Sequence, residues 1–544
     1  MSVRSRIVGG PVGPLGYRPL QRTGPEPYTV RDELAPGDAA LDGIPAADAV
    51  EVLATMVHLS DLHVCDAQSP ARVEFLDRLA DPDSPIHDEV GEVGTYRAQE
   101  ILTVQVVAAM VASVNRLRRG PGFGAAIDLA LVTGDNTDNA QANELAWYLG
   151  LLDGGTVTAD SGDRNRFEGV AAQADPHYWL PEVTGADRAQ ACHGFPAVAG
   201  LLEAVRRPVS SPGLAVPWLA VHGNHDQLLQ GTVPASGALG EAAVGTRKPV
   251  GFEPQPEPAE LLPLLAGLAS CEPAALARLA GLSTVPVTAD HARRIITRAE
   301  FTAAHQRPGA RPAGHGFGAD GRPYYRHDLG RVSILVLDTV DEFGGWQGSL
   351  DREQAGWLDV ELASADAEQR YAVLASHHSL DTLVNDANGP GLPDRVLSAE
   401  LQAMLAGHPS LILWLNGHTH ATRATPRQGY WELTAPSLID WPQQGRVVEL
   451  ARQHDRLLVV TTMIDHDGAA PWDGTIEATE ALAGLSRELA ANDWQWRAVP
   501  LEQHPRAGTP GDRELILALP DPWASGPVLA DEASRTSRRG NRVS

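Results

Sequence analysis

The sequence is poor in sulfur, in long apolar runs and in positive charge, and each shortage narrows what the chain can be. Its three cysteines, Cys65, Cys192 and Cys271, include no CxxC pair among the motifs and make no disulfide framework. The longest apolar helix candidate, Ile101 to Val114, is too short to span a bilayer and carries Thr, Gln and Ser. Met1 to Gly16 holds arginines but no apolar segment of signal-peptide type. The chain as given is therefore expected to be cytoplasmic, or exported if a leader has been removed. Against 69 acidic residues stand 43 basic ones, a net charge of −26. That balance excludes a general nucleic-acid binder or anionic-membrane binder and leaves a small-molecule partner as the expectation.

What is present is a set of short apolar runs that end in His, Asp or Asn. Leu129 to Val132 leads into Gly134-Asp135-Asn136-Thr137-Asp138. Thr55 to Leu59 leads into Asp61-Leu62-His63, and Trp218 to Val221 into Gly223-Asn224-His225-Asp226. Tyr371 to Ala375 leads into His377-His378, and Leu411 to Leu415 into Gly417-His418-Thr419-His420. Each run has the length of a buried strand closed by a turn. Ligands of α/β folds gather at the carboxyl ends of such strands. One polar ending is ordinary; five with these residue types form a metal site, with Asp135 at its hub.

The remaining pattern is that of one large domain with insertions. Residues 1–50 hold seven Pro and seven Gly and are expected to form an extended arm. A core at 51–465 carries all five motifs and is interrupted at about 139–215 and 231–325. Both interruptions follow motif-bearing turns and are expected to rim the site and limit substrate size. Residues 466–544 are expected to be a helix, Thr475 to Asn492, and a polar tail from Ala524.

Asp-x-His, Gly-Asp, Gly-Asn-His-Asp, His and Gly-His-x-His, in this order and each after a strand, resemble the calcineurin-like metallophosphoesterases over the 51–465 core. The resemblance implies a four-layer α/β/β/α sandwich of two packed mixed sheets, with two divalent or mixed-valence metal ions between them. It implies Asp61, His63, Asp135 and His420 on the first ion, and Asp135, Asn224, His377 and His418 on the second. Such donors admit Mn, Fe or Zn, and two ions ~3.5–4 Å apart need one shared anion, here Asp135. His377 is preferred to His378 because the ligand in this family is usually the first His after the strand. A hydroxide bridging the ions would attack phosphorus in line, and His225 would assist the leaving group. Asp138 resembles the carboxylate that orients that His; a helix N-cap is its competing role. Purple acid phosphatases carry Tyr at that place, so no tyrosinate colour is expected.

The expected activity is hydrolysis of a small phosphoester, with a diester preferred and a monoester the alternative. The Gly-Asp motif has no arginine beside it of the kind that holds a monoester dianion. A metal-binding module without catalysis is the remaining reading, disfavoured because all seven ligands and His225 are present. Cys65 is expected to be a buried small hydrophobe. Arg72 and His315 are expected to be structural, as are the lone His222, His378 and His454.

Overall fold

The computed structural model describes residues 5–35, 41, 43–234, 238–269, 272–278, 281–386 and 394–524. Cys271 and the polar tail beyond Ala524 lie outside them.

The five apolar runs form strands, as their β-branched and aromatic residues favour, and they divide between two sheets. One sheet has seven strands in the order Thr29–Arg31, Leu515–Pro520, Arg456–Asp465, Gln444–Gln453, Glu51–Leu59, Leu129–Thr133 and Trp218–Val221. The other has six: Tyr325–Leu329, Val332–Val336, Tyr371–Ala375, Leu411–Asn416, Trp431–Thr434 and Arg423–Pro426. Three motif-bearing strands are parallel neighbours in the first sheet, with Met56 opposite Leu129 and Ala130 opposite Trp218. The other two are parallel neighbours in the second, with Val373 opposite Leu413. Parallel pairing sends the carboxyl ends of neighbouring strands to the same edge of their sheet.

The period-two pattern of the second sheet assigns its faces. Val332, Ile334 and Val336 join the core between the sheets. Leu335 and Leu337 point the other way, against Leu358 and Leu362 of helix Arg352–Ala367 and Leu401 of helix Ser398–Leu405. Asp351 starts the first of these helices by accepting from the Gln354 amide at 2.7 Å. Helices Thr103–Leu117, Ala142–Asp153 and Thr479–Ala490 belong to the first sheet's side. The architecture is a four-layer α/β/β/α sandwich of two mixed sheets.

The helical run Glu100–Leu117 is, by length and composition, long and apolar enough to cross a membrane, with mean hydropathy 1.3 over 18 residues. It is longer than the stretch seen in sequence, and two-thirds of it is buried inside the protein. Here it serves as a core helix, packed on helix Thr479–Ala490.

The seven-stranded sheet also draws on chain outside 51–465. Thr29–Arg31 pairs in parallel with Leu515–Pro520, which in turn pairs with Arg456–Asp465. The two interruptions do not lie wholly at the ligand edge either. Gly155–Val157 pairs with Val209–Ser211. Just beyond it, Asn115 near the end of helix Thr103–Leu117 bonds Gly213 and Ala215, beside the start of a strand rather than its end. By contrast Gln68 reaches Asp160 at 2.9 Å, and Gln141 bridges Ile295, beside the motif-bearing turns. The first interruption thus runs along the sheet from one edge toward the other, and so does the second, whose Arg311 carbonyl accepts from the Trp218 amide at the start of its strand, at 2.8 Å.

Candidate metal centre

The turns after the strands are forced into an unusual backbone. Asp61, His63, Asp135, His418 and His420 all have positive φ, between 43° and 68°. Non-glycine residues avoid this left-handed region, and when held there they concentrate at functional sites. What holds them is a short hydrogen-bonded ladder between two turns. Asp61, His63 and Val64 donate their amides to the carbonyls of Gly134, Asp135 and Asn136 at 2.9–3.0 Å. Asp226 fastens the third turn, accepting from the amides of Asn136, Thr137 and Gly223 at 2.9–3.0 Å. Glycine is required at two close approaches. A Cβ on Gly223 would overlap the Asp135 backbone, and one on Gly417 would overlap Ser60 and the Asp61 carboxylate.

Six of the seven ligand-type side chains, all but Asn224, fall into overlapping groups of donor atoms. Asp61, His63 and His420 form one cluster of donor atoms, and Asp61, Asp135 and His377 another; His418 clusters with His377 and His378. His420 Nε2 lies 3.3 Å from Asp61 Oδ1, and His377 Nε2 lies 3.1 Å from Asp135 Oδ2. Most of the set is buried, with His418 and His225 half-exposed.

The outward nitrogens of three histidines are spoken for. His63 Nδ1 lies 3.0 Å from Asp138 Oδ1, His420 Nδ1 2.6 Å from Asp440 Oδ2, and His377 Nδ1 2.9 Å from the Thr133 carbonyl. These partners are acceptors, so each Nδ1 donates and each Nε2 is turned inward, where it takes a proton or a metal ion. His63 Nε2 and His420 Nε2 face each other at 3.3 Å. Two buried ring nitrogens this close need a proton or a metal ion between them. His377 Nε2 and Asn224 Oδ1 are likewise buried without a hydrogen-bond partner, the Asn224 amide being turned outward onto the Gly231 carbonyl. The donor set therefore fits metal ions bound through nitrogen and oxygen.

The electrostatics agree. Burial pushes the Asp135 carboxyl up, but His377, His225 and His63 outweigh it and hold it well below the usual range. Burial lowers His63 and, more strongly, His418, which keeps both neutral. Burial also lowers His377 and His420, but Asp135 and Asp61 respectively overcome it and raise each to about 9. Without a metal a proton fills the acceptor pocket.

His378 is excluded as a ligand by its neighbours. Its Nδ1 is 2.7 Å from the Thr339 hydroxyl and its Nε2 3.0 Å from the Trp346 carbonyl. His315 is buried far from the set against Trp218 and Asp153, and His454 sits in the turn between Gln444–Gln453 and Arg456–Asp465. Cys65 is buried and its sulfur groups with the Asp138 and Glu144 carboxylates rather than with the His-bearing sets; the Arg72 guanidinium lies 3.1 Å from it.

Asp138 departs from both roles weighed in sequence. Its carboxylate binds His63 and Arg72, not His225. It is the Asp138 backbone carbonyl that accepts from His225 Nδ1, at 2.6 Å. Nor does it cap the next helix, whose N-cap is Gln141. The turn's left-handed start at Asp135 swings the Asp138 side chain toward the first motif. Asp440 and Arg97 carry no motif signal: Asp440 follows a strand without forming part of any His-rich run, and its role shows only in the packed structure.

No family model and no curated protein matches the chain. Among solved structures it is similar to a dimetal phosphatase from Danio rerio, at 12% identity and TM-score 0.34, over 76% of this chain and 100% of that one. It is also similar to GAP50, the anchor in the inner membrane complex of Plasmodium, at 8% identity and TM-score 0.26, over 79% and 88%. A third is a Staphylococcus aureus protein described as a candidate 5'-nucleotidase, in complex with alpha-ketoglutarate, at 10% identity and TM-score 0.27, over 76% and 54%. Likeness at this level does not bear on what the site does; the side chains do. In its two-sheet fold, the order of its motifs and the strand ends that carry them, the chain resembles the calcineurin-like metallophosphoesterases.

Proposed function

We propose that the protein is a metal-dependent hydrolase of small phosphoesters, with phosphodiesters as its preferred class. The observation that carries this is the inward pair of His63 and His420 nitrogens, 3.3 Å apart with both outward nitrogens donating to carboxylates. When bound, two metal ions supply Lewis acidity toward phosphoryl oxygens and acidify water to a pKa of about 7 in good cases. Asp61, His63, Asp135 and His420 would hold one, and Asp135, Asn224, His377 and His418 the other, as Mn, Fe or Zn.

The protein's own contribution to the leaving group is His225. It lies beside the ligand set, its ring 4.6 Å from that of His63 and its amide donating to Asp135 Oδ1 at 2.8 Å. Because a carbonyl can only accept, the Asp138 carbonyl fixes the Nδ1 proton of His225 and leaves Nε2 as its working atom. Protonated there, His225 can donate to a departing alkoxide.

A diester preference is supported by how the nearest arginines are used. Arg72 is committed to Asp138 and Glu100, Arg97 to Asp440, and Arg506 to Asp440 and Glu92. All three are therefore engaged, whereas a monoester dianion needs extra positive charge. A phosphomonoesterase is the second reading. The test is a panel of aryl diesters, aryl monoesters, cyclic nucleotides and glycerophosphodiesters with Mn, Fe or Zn loaded protein. Higher kcat/KM on monoesters than on matched diesters overturns the preference, and no turnover of any ester overturns the function.

A further inference from the structure

The second long interruption carries one side chain that has no place in an ordinary surface hairpin. Lys248, on the strand Arg247–Phe252 paired with Leu282–Pro286, is fully buried. Its Nζ donates to Glu74 Oε1 at 2.6 Å and to the Ser69 carbonyl at 2.7 Å. Lysine is almost never buried to this degree without a specific partner. A buried ion pair is also a poor way to dock a hairpin, since apolar side chains of similar size often serve as well or better. The position of Glu74 suggests what the pair is for.

Glu74 lies between two cations. Arg72 Nε is 3.6 Å from Glu74 Oε1, too far for a hydrogen bond, and that Nε has no hydrogen-bond partner. The other end of Arg72 is engaged: it binds Asp138 through Nη1 and Glu100 through Nη2 at 2.8 Å. Asp138 in turn receives the His63 Nδ1 proton at 3.0 Å. Lys248, Glu74, Arg72, Asp138 and His63 are thus consecutive members of one buried chain of charges, each no more than 3% exposed at its side chain. Three acidic side chains, Glu74, Glu100 and Asp138, share it with two basic ones, Arg72 and Lys248, and burial pushes Glu100 up to about 7. Remove the lysine charge and Glu74 becomes an uncompensated anion beside Arg72, in competition with Asp138 for the guanidinium.

We propose that Lys248 is a positioning residue for His63: by neutralising Glu74 it leaves Arg72 to Asp138, and so couples docking of the interruption to metal binding. This rests on the reading of His63 as a metal ligand. By linkage the coupling runs both ways, so metal bound at His63 tightens the hairpin by the same factor that the docked hairpin tightens the metal.

The sign of the effect separates this role from simple docking. Lys248→Met should weaken Co2+ binding at the His63 site by about 10–100-fold, the usual cost of disturbing the partner of a ligand. Adding Glu74→Gln removes the competing anion, so the double variant should recover most of the affinity although its hairpin has lost the same ion pair. If Lys248 only docks the hairpin, the double variant stays as weak as the single one.

The experiment is titration of the full chain with Co2+, read by its visible absorption and by a competing chelator, with folding checked by circular dichroism. His63→Ala is run beside it. Wild type that binds no Co2+, or binding unchanged in His63→Ala, overturns the metal reading itself. Tight wild-type binding lost in His63→Ala, with Lys248→Met unaffected or not rescued, overturns only the proposal. Hydrogen exchange on the wild type needs no variant and covers the case in which Lys248→Met does not fold. Co2+ should slow exchange at 247–252 while leaving the hairpin of Ser5–Gly9 and Leu20–Pro25 unchanged, and equal exchange with and without Co2+ at 247–252 overturns the coupling.

Discussion

Asp440 Oδ2 accepts the Nδ1 proton of His420 at 2.6 Å while its other oxygen takes Arg97 Nε at 2.7 Å. Asp138 does the same for His63 with Arg72 behind it. Two candidate ligand histidines are therefore each backed by a buried carboxylate and then an arginine. The arginines hold both carboxyls low against the burial that would raise them. A carboxylate kept ionised there fixes the ring orientation and makes the inward nitrogen a better donor to a metal.

Asp440→Asn is expected to weaken metal binding about 10–100-fold, since the amide keeps the shape but removes the charge behind His420. Competition with a chelator measures it. Unchanged affinity would mean that Asp440 serves only the packing of Arg97 and of Arg506, whose Nη1 lies 3.0 Å from Asp440 Oδ2.

Metal uptake should release protons. His377 and His420 are each raised to about 9, so in the metal-free protein both are protonated at pH 7. A metal must displace these protons, and affinity should rise with pH until about pH 9 and level off above it. Each displaced proton contributes roughly a tenfold change per pH unit below that point. Calorimetric titration in buffers of different ionisation enthalpy counts the protons; uptake of metal without proton release would contradict the arrangement.

Asp135→Ala should leave the protein unable to hold two metals, because Asp135 lies between His63 and His377, with Oδ2 3.7 Å from one and 3.1 Å from the other. Elemental analysis after desalting checks this. Two metals retained per chain would remove Asp135 from the hub.

The strands and the meeting of the candidate ligands at their ends were legible because both follow from local rules. A short apolar run ending in Gly and a polar pair is a strand meeting a turn, and Leu129–Thr133 and Leu411–Asn416 lie within a residue or so of where the pattern puts them. Leu515–Pro520 has the same apolar run, but it ends in no motif, so nothing local shows that it joins the main sheet. Thr29–Arg31 is too short to carry any period at all. The partners of the ligands were invisible for another reason. Arg97 reaches Asp440 across 343 positions and Lys248 reaches Glu74 across 174; Asp440 is only 20 residues from His420, but a lone Asp or Lys looks like any solvated charge until packing buries it. Asp138 was misread because residue spacing fixes which turn a side chain occupies but not the direction in which that turn points it.

His225 and Asp138 should now separate cleanly. His225→Ala should leave both metals bound and lower kcat about 10²–10⁴-fold, the usual contribution of a positioned general acid. The loss should shrink for leaving groups as acidic as nitrophenolate, which depart unaided. Asp138→Asn should behave differently, because its carboxylate touches His63 and Arg72 while its backbone carbonyl, which holds His225, is unchanged by the substitution. Metal affinity should fall, and activity at saturating metal should recover with the same dependence on leaving-group pKa as the wild type. Rates for both variants across esters of rising leaving-group pKa, with metal content measured in each preparation, decide the matter. A steeper leaving-group dependence in Asp138→Asn would return the Asp138 carboxylate to His225. An equal loss for all esters in His225→Ala would assign that ring to phosphate binding instead.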